Sequence, residues 1–276
     1  MPVVSANGLD IFYEARGHGE AILLIAGFGC DLSIWSQVVP HLSSGHRVIV
    51  FDNRGMGRTV APDGPSSIRQ MASDTAGLIA ALGLGRVHVA GHSMGGMIAQ
   101  ELALQYPEVI ASLMLLSTCA GLDERGRAII RAWGELPRLL DVRTTTRLIM
   151  PWIYTNAFYE RPGAVEQVLK ALVTNPYPPT PQAVQAQSQA IVEWESYSRL
   201  SAINHPTLVL VGREDILLPV AFAESLAQGI RGAQLLVLPN TGHGMPVESP
   251  ALLAEAMRNW LAQQQQTQGG KATWVE

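Results

Sequence analysis

Residues 87–96, Val87-His88-Val89-Ala90-Gly91-His92-Ser93-Met94-Gly95-Gly96, decide how this chain folds. Residues 87–90 read as a buried strand, and residues 96–104 carry the spacing of a helix. Between them stands a serine with a glycine two residues to either side. A strand-to-helix corner of this form is a nucleophile elbow. The sharp turn forces the serine into strained backbone geometry, and a side chain at either glycine would crowd it. The hydroxyl then stands clear at the end of a sheet, beside the unsatisfied first amides of a helix and the positive end of its dipole.

Working outward, further apolar runs at 9–13, 21–25, 47–51, 113–116, 206–212 and 233–238 read as strands. Helical spacing separates them at 34–42, 68–82, 220–228 and 250–263. Continuous apolar strands alternating with amphipathic helices predict a mainly parallel sheet covered on both faces. The tail from Gln264, rich in Gln and Gly, reads as frayed. The rhythm breaks over 122–203, which shows helical spacing and no buried strand. That stretch holds eight of the chain's 17 aromatics, and Pro176, Pro178, Pro179 and Pro181 must interrupt a helix within it. A helical insertion cannot enter the sheet, so it is expected to sit as a lid over the strand ends. Most of its aromatics are expected to pack the lid; Trp133, Trp152, Phe158 and Tyr159 are the candidates for lining a pocket.

With 276 residues and 47% apolar composition, the chain suits one large α/β domain with an insertion. The net charge of −4 leaves no electrostatic footprint for nucleic acid or anionic lipid. No apolar run reaches the roughly 18–20 residues of a membrane span, and no basic-then-apolar leader opens the chain, so a cytoplasmic protein is expected. Cys30 and Cys119 are far apart and read as reduced thiols. Neither has a neighbour at metal-ligand spacing, so no metal and no cofactor is expected. No feature signals an oligomeric state.

A serine hydroxyl needs an adjacent base, and a histidine base needs an acid to hold its tautomer. Asp215, in Gly212-Arg213-Glu214-Asp215, follows one predicted strand, and His243, in Gly242-His243-Gly244, follows another. Parallel strands share their C-terminal edge, so both should emerge beside Ser93. Glu214 is the competing acid, and Asp123 could serve only after a lid rearrangement. Asp52 is expected to pair with Arg54, His92 to prop the elbow, and His88 to be a hydrogen-bonded core residue.

These three segments, with Pro219 and Glu248-Ser249-Pro250, resemble the α/β-hydrolase superfamily in kind and order over nearly the whole chain. Residues 27–35 also resemble enol-lactone hydrolases and small carboxylesterases. The resemblance implies a mostly parallel sheet of about eight strands with helices on both faces and a helical cap. Residues 1–121 and 204–276 would form the core and 122–203 the cap. It implies Ser93 as nucleophile, Asp215 as acid and His243 as base, with the Met94 and Phe28 amides as oxyanion hole. Many members carry His-Gly where this chain has Ala26-Gly27, so a side-chain anchor for that loop is missing. The expected activity is hydrolysis of a small-molecule ester or lactone through an acyl-enzyme. The same triad also serves carbon–carbon hydrolysis, amide cleavage, perhydrolysis or acyl transfer, and a non-hydrolytic binding or signalling role is the third class. A neutral, moderately apolar substrate is expected; an anionic one would need Arg131, Arg138, Arg143 or Arg147 in the pocket.

Overall fold

The computed structural model describes residues 2–62 and 64–269. Its strands are β1 (Val3–Ala6), β2 (Leu9–Arg16), β3 (Ala21–Ile25), β4 (Arg47–Phe51), β5 (Val87–His92), β6 (Ile110–Leu116), β7 (Thr207–Gly212) and β8 (Gln234–Leu238). They form one sheet in the order β1-β2-β4-β3-β5-β6-β7-β8, antiparallel over the first three positions and parallel beyond. This is the α/β-hydrolase fold expected above.

Strand β1 had no counterpart among the predicted strands. It is four residues long and lies at the sheet edge with Val3 half exposed, so burial leaves little pattern in its sequence. Its signal is the Asn7-Gly8 turn. Both residues have positive φ, 49° and 73°, and Ala6 pairs with Leu9 across a two-residue hairpin.

The apolar runs are continuous because the central strands are covered twice. Ile22 and Leu24 of β3, with Val48 and Val50 of β4, pack on one face against Trp35, Leu42, Met257 and Trp260. Leu23, Ile25, Ile49 and Phe51 face the other way, against Met71, Leu78, Met97 and Leu102. The first face is covered by α1 (Val39–Leu42) and the second by α2 (Ile68–Ala81) and α3 (Met94–Gln105).

Between β6 and β7 the chain leaves the sheet for α4 (Glu124–Leu139), α5 (Val142–Ile153), α6 (Asn156–Glu160), α7 (Ala164–Val173) and α8 (Pro181–Glu193). Four of the five begin at an Asp or Thr whose side chain accepts from an amide of the first turn: Asp123, Asp141, Thr155 and Thr180. Pro176, Pro178 and Pro179 fall in the break between α7 and α8, and Pro181 opens α8. At the root of the insertion Gly121 bridges Glu195, and Ser196 N donates to Ala120 O. The buried Glu101 carboxylate on α3 accepts from Trp194 Nε1, Arg199 Nη1 and Arg69 Nε. Burial alone would raise its pKa; those donors outweigh burial and hold it below the usual range.

The chain closes with α9 (Val220–Gly229), α10 (Met245–Glu248) and α11 (Pro250–Gly269). Helix α11 runs past Gln264, so the tail expected to fray there is helical to Gly269; the remainder of that tail lies outside the described residues. Glutamine is a good helix former, and polar composition alone does not end a helix. Among the described residues no helix is long and apolar enough to cross a membrane.

Candidate active site

The parallel strands deliver the site. β5 ends at His92 and Ser93 follows; β7 ends at Gly212, three residues before Asp215; β8 ends at Leu238, five before His243. All three side chains therefore leave one edge of the sheet.

Ser93 has φ 54° and ψ −120°, a conformation that L residues rarely adopt. Ser93 N donates to Leu116 O at 2.9 Å, and Thr118 Oγ1 donates to Ser93 O at 2.7 Å, so the corner is pinned from the neighbouring strand. Ser93 Oγ lies 3.0 Å from His243 Nε2, and His243 Nδ1 lies 2.9 Å from Asp215 Oδ2. The other Asp215 oxygen accepts from Leu218 N at 2.8 Å and Leu217 N at 3.1 Å. The carboxylate is thus fixed from both sides, and Glu214 next to it is exposed. Asp123 caps α4 through Gly126 N instead of approaching His243.

The segment bearing His243 is held by further buried polar residues. His92 Nε2 donates to His243 O at 2.8 Å, so His92 braces the base's backbone as well as the elbow. Glu248 is buried and accepts from Gly242 N at 2.9 Å and from both Thr155 N and Thr155 Oγ1 on the insertion. Gly244 N donates to Ile153 O. The insertion is therefore bolted to the segment that carries His243.

The loop after β3 has the same kind of support. Asn53 Nδ2 donates to Ala26 O at 3.1 Å, Gly29 N donates to Gln187 Oε1 of α8 at 2.9 Å, and Asn175 Nδ2 donates to Asp31 Oδ2 at 2.8 Å. Gln187 and Asn175 belong to the insertion. They supply from across the cleft the side-chain anchor that Ala26-Gly27 lacks. Sequence reasoning missed both, because a glutamine 158 positions away carries no local signal.

A cavity of about 20 Å³ opens against Ser93, with Phe28 and Met94 on its near side. As the first residue of α3, Met94 offers one of the helix's unsatisfied N–H groups there. Besides Met97 and Gly126, the rest of the lining is aliphatic: Leu122, Ile130 and Ile191 from the insertion and its approach, and Leu217 and Leu218 from the loop after β7. None of Trp133, Trp152, Phe158 and Tyr159 lines it, a correction to the aromatic pocket expected above. Trp133 is buried in the main core, and Trp152 packs against it. Phe158 stacks on Tyr154, ring centroids 4.2 Å apart, in a cluster with Met150 and Leu169, and Tyr159 faces solvent. The large rings fill the gaps between insertion helices, where area buried per residue is greatest. The four candidate arginines also stand away: Arg143 and Arg147 pair with Glu166, Arg138 donates to Gln185, and Arg131 is exposed.

One further expectation changes. Arg54 pairs with Asp74 of α2 at 2.8 Å, not with Asp52. Asp52 accepts from Leu32 N and Arg58 N, both at 2.8 Å, and so ties two loops at the strand ends. His88 is buried, with Nδ1 2.8 Å from Ser112 Oγ. Burial pushes both the Cys30 and Cys119 thiols up to about 12, which removes them as nucleophiles at neutral pH. Among the described residues no three His, Cys, Asp or Glu side chains converge as a metal site would.

Burial lowers the pKa of His46, His88, His92 and His205, and His92, beside His243, is pushed down to about 3. In the unfolded chain each titrates near about 6.5. Below that pH the unfolded state takes up protons that the native state refuses, so stability is complete above about 6.5 and is lost as pH falls. Glu101, held low, adds to the loss at still lower pH; Asp52, raised by burial, opposes it there. Urea unfolding should show stability falling by about 2 kcal/mol or more in total between pH 6.5 and 4.5, the contribution of one histidine that protonates only when unfolded. Equal stability at pH 7 and pH 5 would contradict this account.

The sequence profile described as the alpha/beta hydrolase fold matches residues 20–250. The chain is 32% identical over 267 residues to a protein of Azorhizobium caulinodans named "Putative carbamate hydrolase RutD", covering 93% of this chain and 97% of that one. Among solved structures it is similar to a thermophilic esterase from Thermogutta terrifontis, with TM-score 0.85, 30% identity and coverage of 95% and 98%. It is also similar to the enol-lactonase from Burkholderia xenovorans, with TM-score 0.86, 26% identity and coverage of 95% and 100%.

Proposed function

The chain belongs to the alpha/beta hydrolase fold family, and from that premise we propose that it is a serine hydrolase cleaving carboxylic esters or lactones through Ser93, His243 and Asp215. The observation that carries this reading is the unbroken chain of contacts from Ser93 Oγ to His243 Nε2 at 3.0 Å and from Nδ1 to Asp215 Oδ2 at 2.9 Å. Asp215 holds the proton on Nδ1, which leaves Nε2 free to accept the serine proton.

In the reaction, Ser93 Oγ attacks the carbonyl carbon while its proton passes to His243 Nε2. The oxyanion is received by the amides of Met94 and Phe28, each such donor being worth about 3–4 kcal/mol in a measured case. Collapse breaks the C–O bond, and His243 returns the proton to the departing alcohol. Water, deprotonated by the same imidazole, then attacks the acyl carbon and breaks its bond to Ser93 Oγ, and His243 returns the proton to that oxygen. The helices α4 to α8 act as the lid over this site, and their bonds to the Phe28 loop and the His243 segment keep the lid in register with the chemistry.

The cavity wall favours esters over the carbamates in the RutD relative's name. A carbamoyl NH₂ would lie against carbon with no acceptor, and its lost hydrogen bonds to water would go unreplaced. The esterase and enol-lactonase neighbours support the same choice.

A fluorophosphonate probe should label Ser93 stoichiometrically. Ser93→Ala should abolish both labelling and p-nitrophenyl acetate turnover with the wild-type melting temperature retained. Wild-type turnover in that variant would show the assignment to be wrong.

A further inference from the structure

We propose that the cavity at Ser93 is an acyl-group pocket cut for a short, uncharged, saturated acyl chain, of acetyl to propionyl size, and that Ile130 and Ile191 set its length. This rests on the serine-hydrolase reading above and names the substrate that reading leaves open.

Which half of the substrate the cavity takes follows from where it lies. The leaving oxygen must sit beside His243 Nε2, which gives it a proton. The cavity touches Ser93, Phe28 and Met94, the nucleophile and the two oxyanion donors, and His243 does not line it. It therefore receives the substituent on the carbonyl carbon, and the alcohol leaves along the other side.

Its size follows from its volume. An apolar cavity of about 150 Å³ takes a six-carbon ring; this one offers about 20 Å³. The proposed occupant is therefore one or two carbon atoms beyond the carbonyl, and a butyl or pentyl chain would have to displace the wall. Apart from Ser93 itself, no lining side chain carries an oxygen or nitrogen, so a carboxylate or ammonium on the acyl chain would be stranded without a partner.

The part of the lining that Ile130 and Ile191 supply is rigid. Ile130 and Ile191 stand on α4 and α8, both nearly fully buried. Those helices approach closely: a Cβ at Gly134 would lie 2.6 Å from Ser188 Cβ, and Ser188 Oγ donates to Ile130 O at 2.8 Å. A longer chain must push two locked helices apart or leave its tail outside. Leu217 and Leu218 also line the wall, but their amides hold Asp215, so altering them would disturb the acid as well. Ile130 and Ile191 can be shortened without touching either hydrogen-bonded end of the triad.

The test is a series of p-nitrophenyl esters from acetate to octanoate, a constant leaving group with a varied acyl chain, run on wild type, Ile191→Ala and Ile130→Ala. Active sites are counted in each protein by paraoxon, which releases one p-nitrophenol per reacting serine. Wild-type kcat/KM should be highest for acetate or propionate and at least about 10-fold lower for hexanoate, since one methylene too many changes such ratios by about 10-fold or more. Each alanine variant should raise the hexanoate-to-acetate ratio by about 10-fold or more. A titratable enzyme that prefers hexanoate or octanoate overturns the pocket assignment and leaves the serine-hydrolase reading standing. So do variants that fold, titrate and keep the wild-type ratio. A protein that neither titrates nor cleaves any ester overturns both. Should one variant fail to fold, the other and the wild-type series still decide.

Discussion

Asp215→Asn is expected to lower kcat for p-nitrophenyl acetate by about 10⁴-fold, the loss seen when a triad acid becomes an amide in a serine protease, with little change in stability. The asparagine oxygen can still accept from Leu217 N and Leu218 N, so the loop after β7 keeps its shape. Its NH₂ then faces His243 Nδ1, 2.9 Å away in the native protein, and donates where the carboxylate accepted. Nδ1 becomes the acceptor, the ring proton moves to Nε2, and the nitrogen beside Ser93 can no longer take a proton. Steady-state kinetics with a urea titration separates this from unfolding. A fall of less than about 10-fold in a stable variant would mean that another group orients His243. Glu214 is exposed and Asp123 is committed to capping α4, so neither stands ready to substitute.

Gly95→Ala is expected to destabilise the protein by about 3 kcal/mol or more, at the top of the range for overpacking or beyond it. A Cβ there would stand 2.2 Å from Ile25 O and 2.8 Å from Ile25 C, both backbone atoms of the central strand β3. Backbone cannot swing aside as a side chain does, so α3 must lift off the sheet, taking Met94 and Ser93 with it. The other elbow glycine is as constrained: a Cβ on Gly91 would meet Gly95 O at 2.1 Å. Gly45→Ala is the control, because nothing lies within 4 Å of its Cβ position and its φ is not positive. The urea midpoint of Gly45→Ala should stay within about 0.5 kcal/mol of wild type, the usual span for a surface change. Similar midpoints for the two variants would show that the elbow has room for a methyl group.

The elbow glycines were legible because their requirement is local: strand, turn and helix within a dozen residues leave no space for Cβ. The same holds for the continuous apolar strands, whose two faces answer to two separate cores. Strand β1 escaped because an edge strand of four residues buries too little to leave a pattern. The Arg54 partner was misread because adjacency in sequence suggested Asp52, whereas Asp52 is occupied by two loop amides and Asp74 reaches Arg54 from α2. The pocket was misread for a related reason. Aromatic content reports how much surface an insertion buries, not which side of it meets the cavity.

By itself the sequence determined which residues end the strands, and parallel pairing carries every strand end to one rim; that is why strand ends pointed to Ser93, His243 and the Glu214-Asp215 pair, with the family resemblance choosing Asp215. Only the tertiary structure decided what surrounds them. Gln187 meeting Gly29, Glu248 meeting Gly242 and Thr155, and Ile130 meeting Ile191 depend on the angles and distances at which helices of the insertion settle on the core. Those angles arise from side-chain packing summed over many distant contacts, and no local period in the chain encodes them.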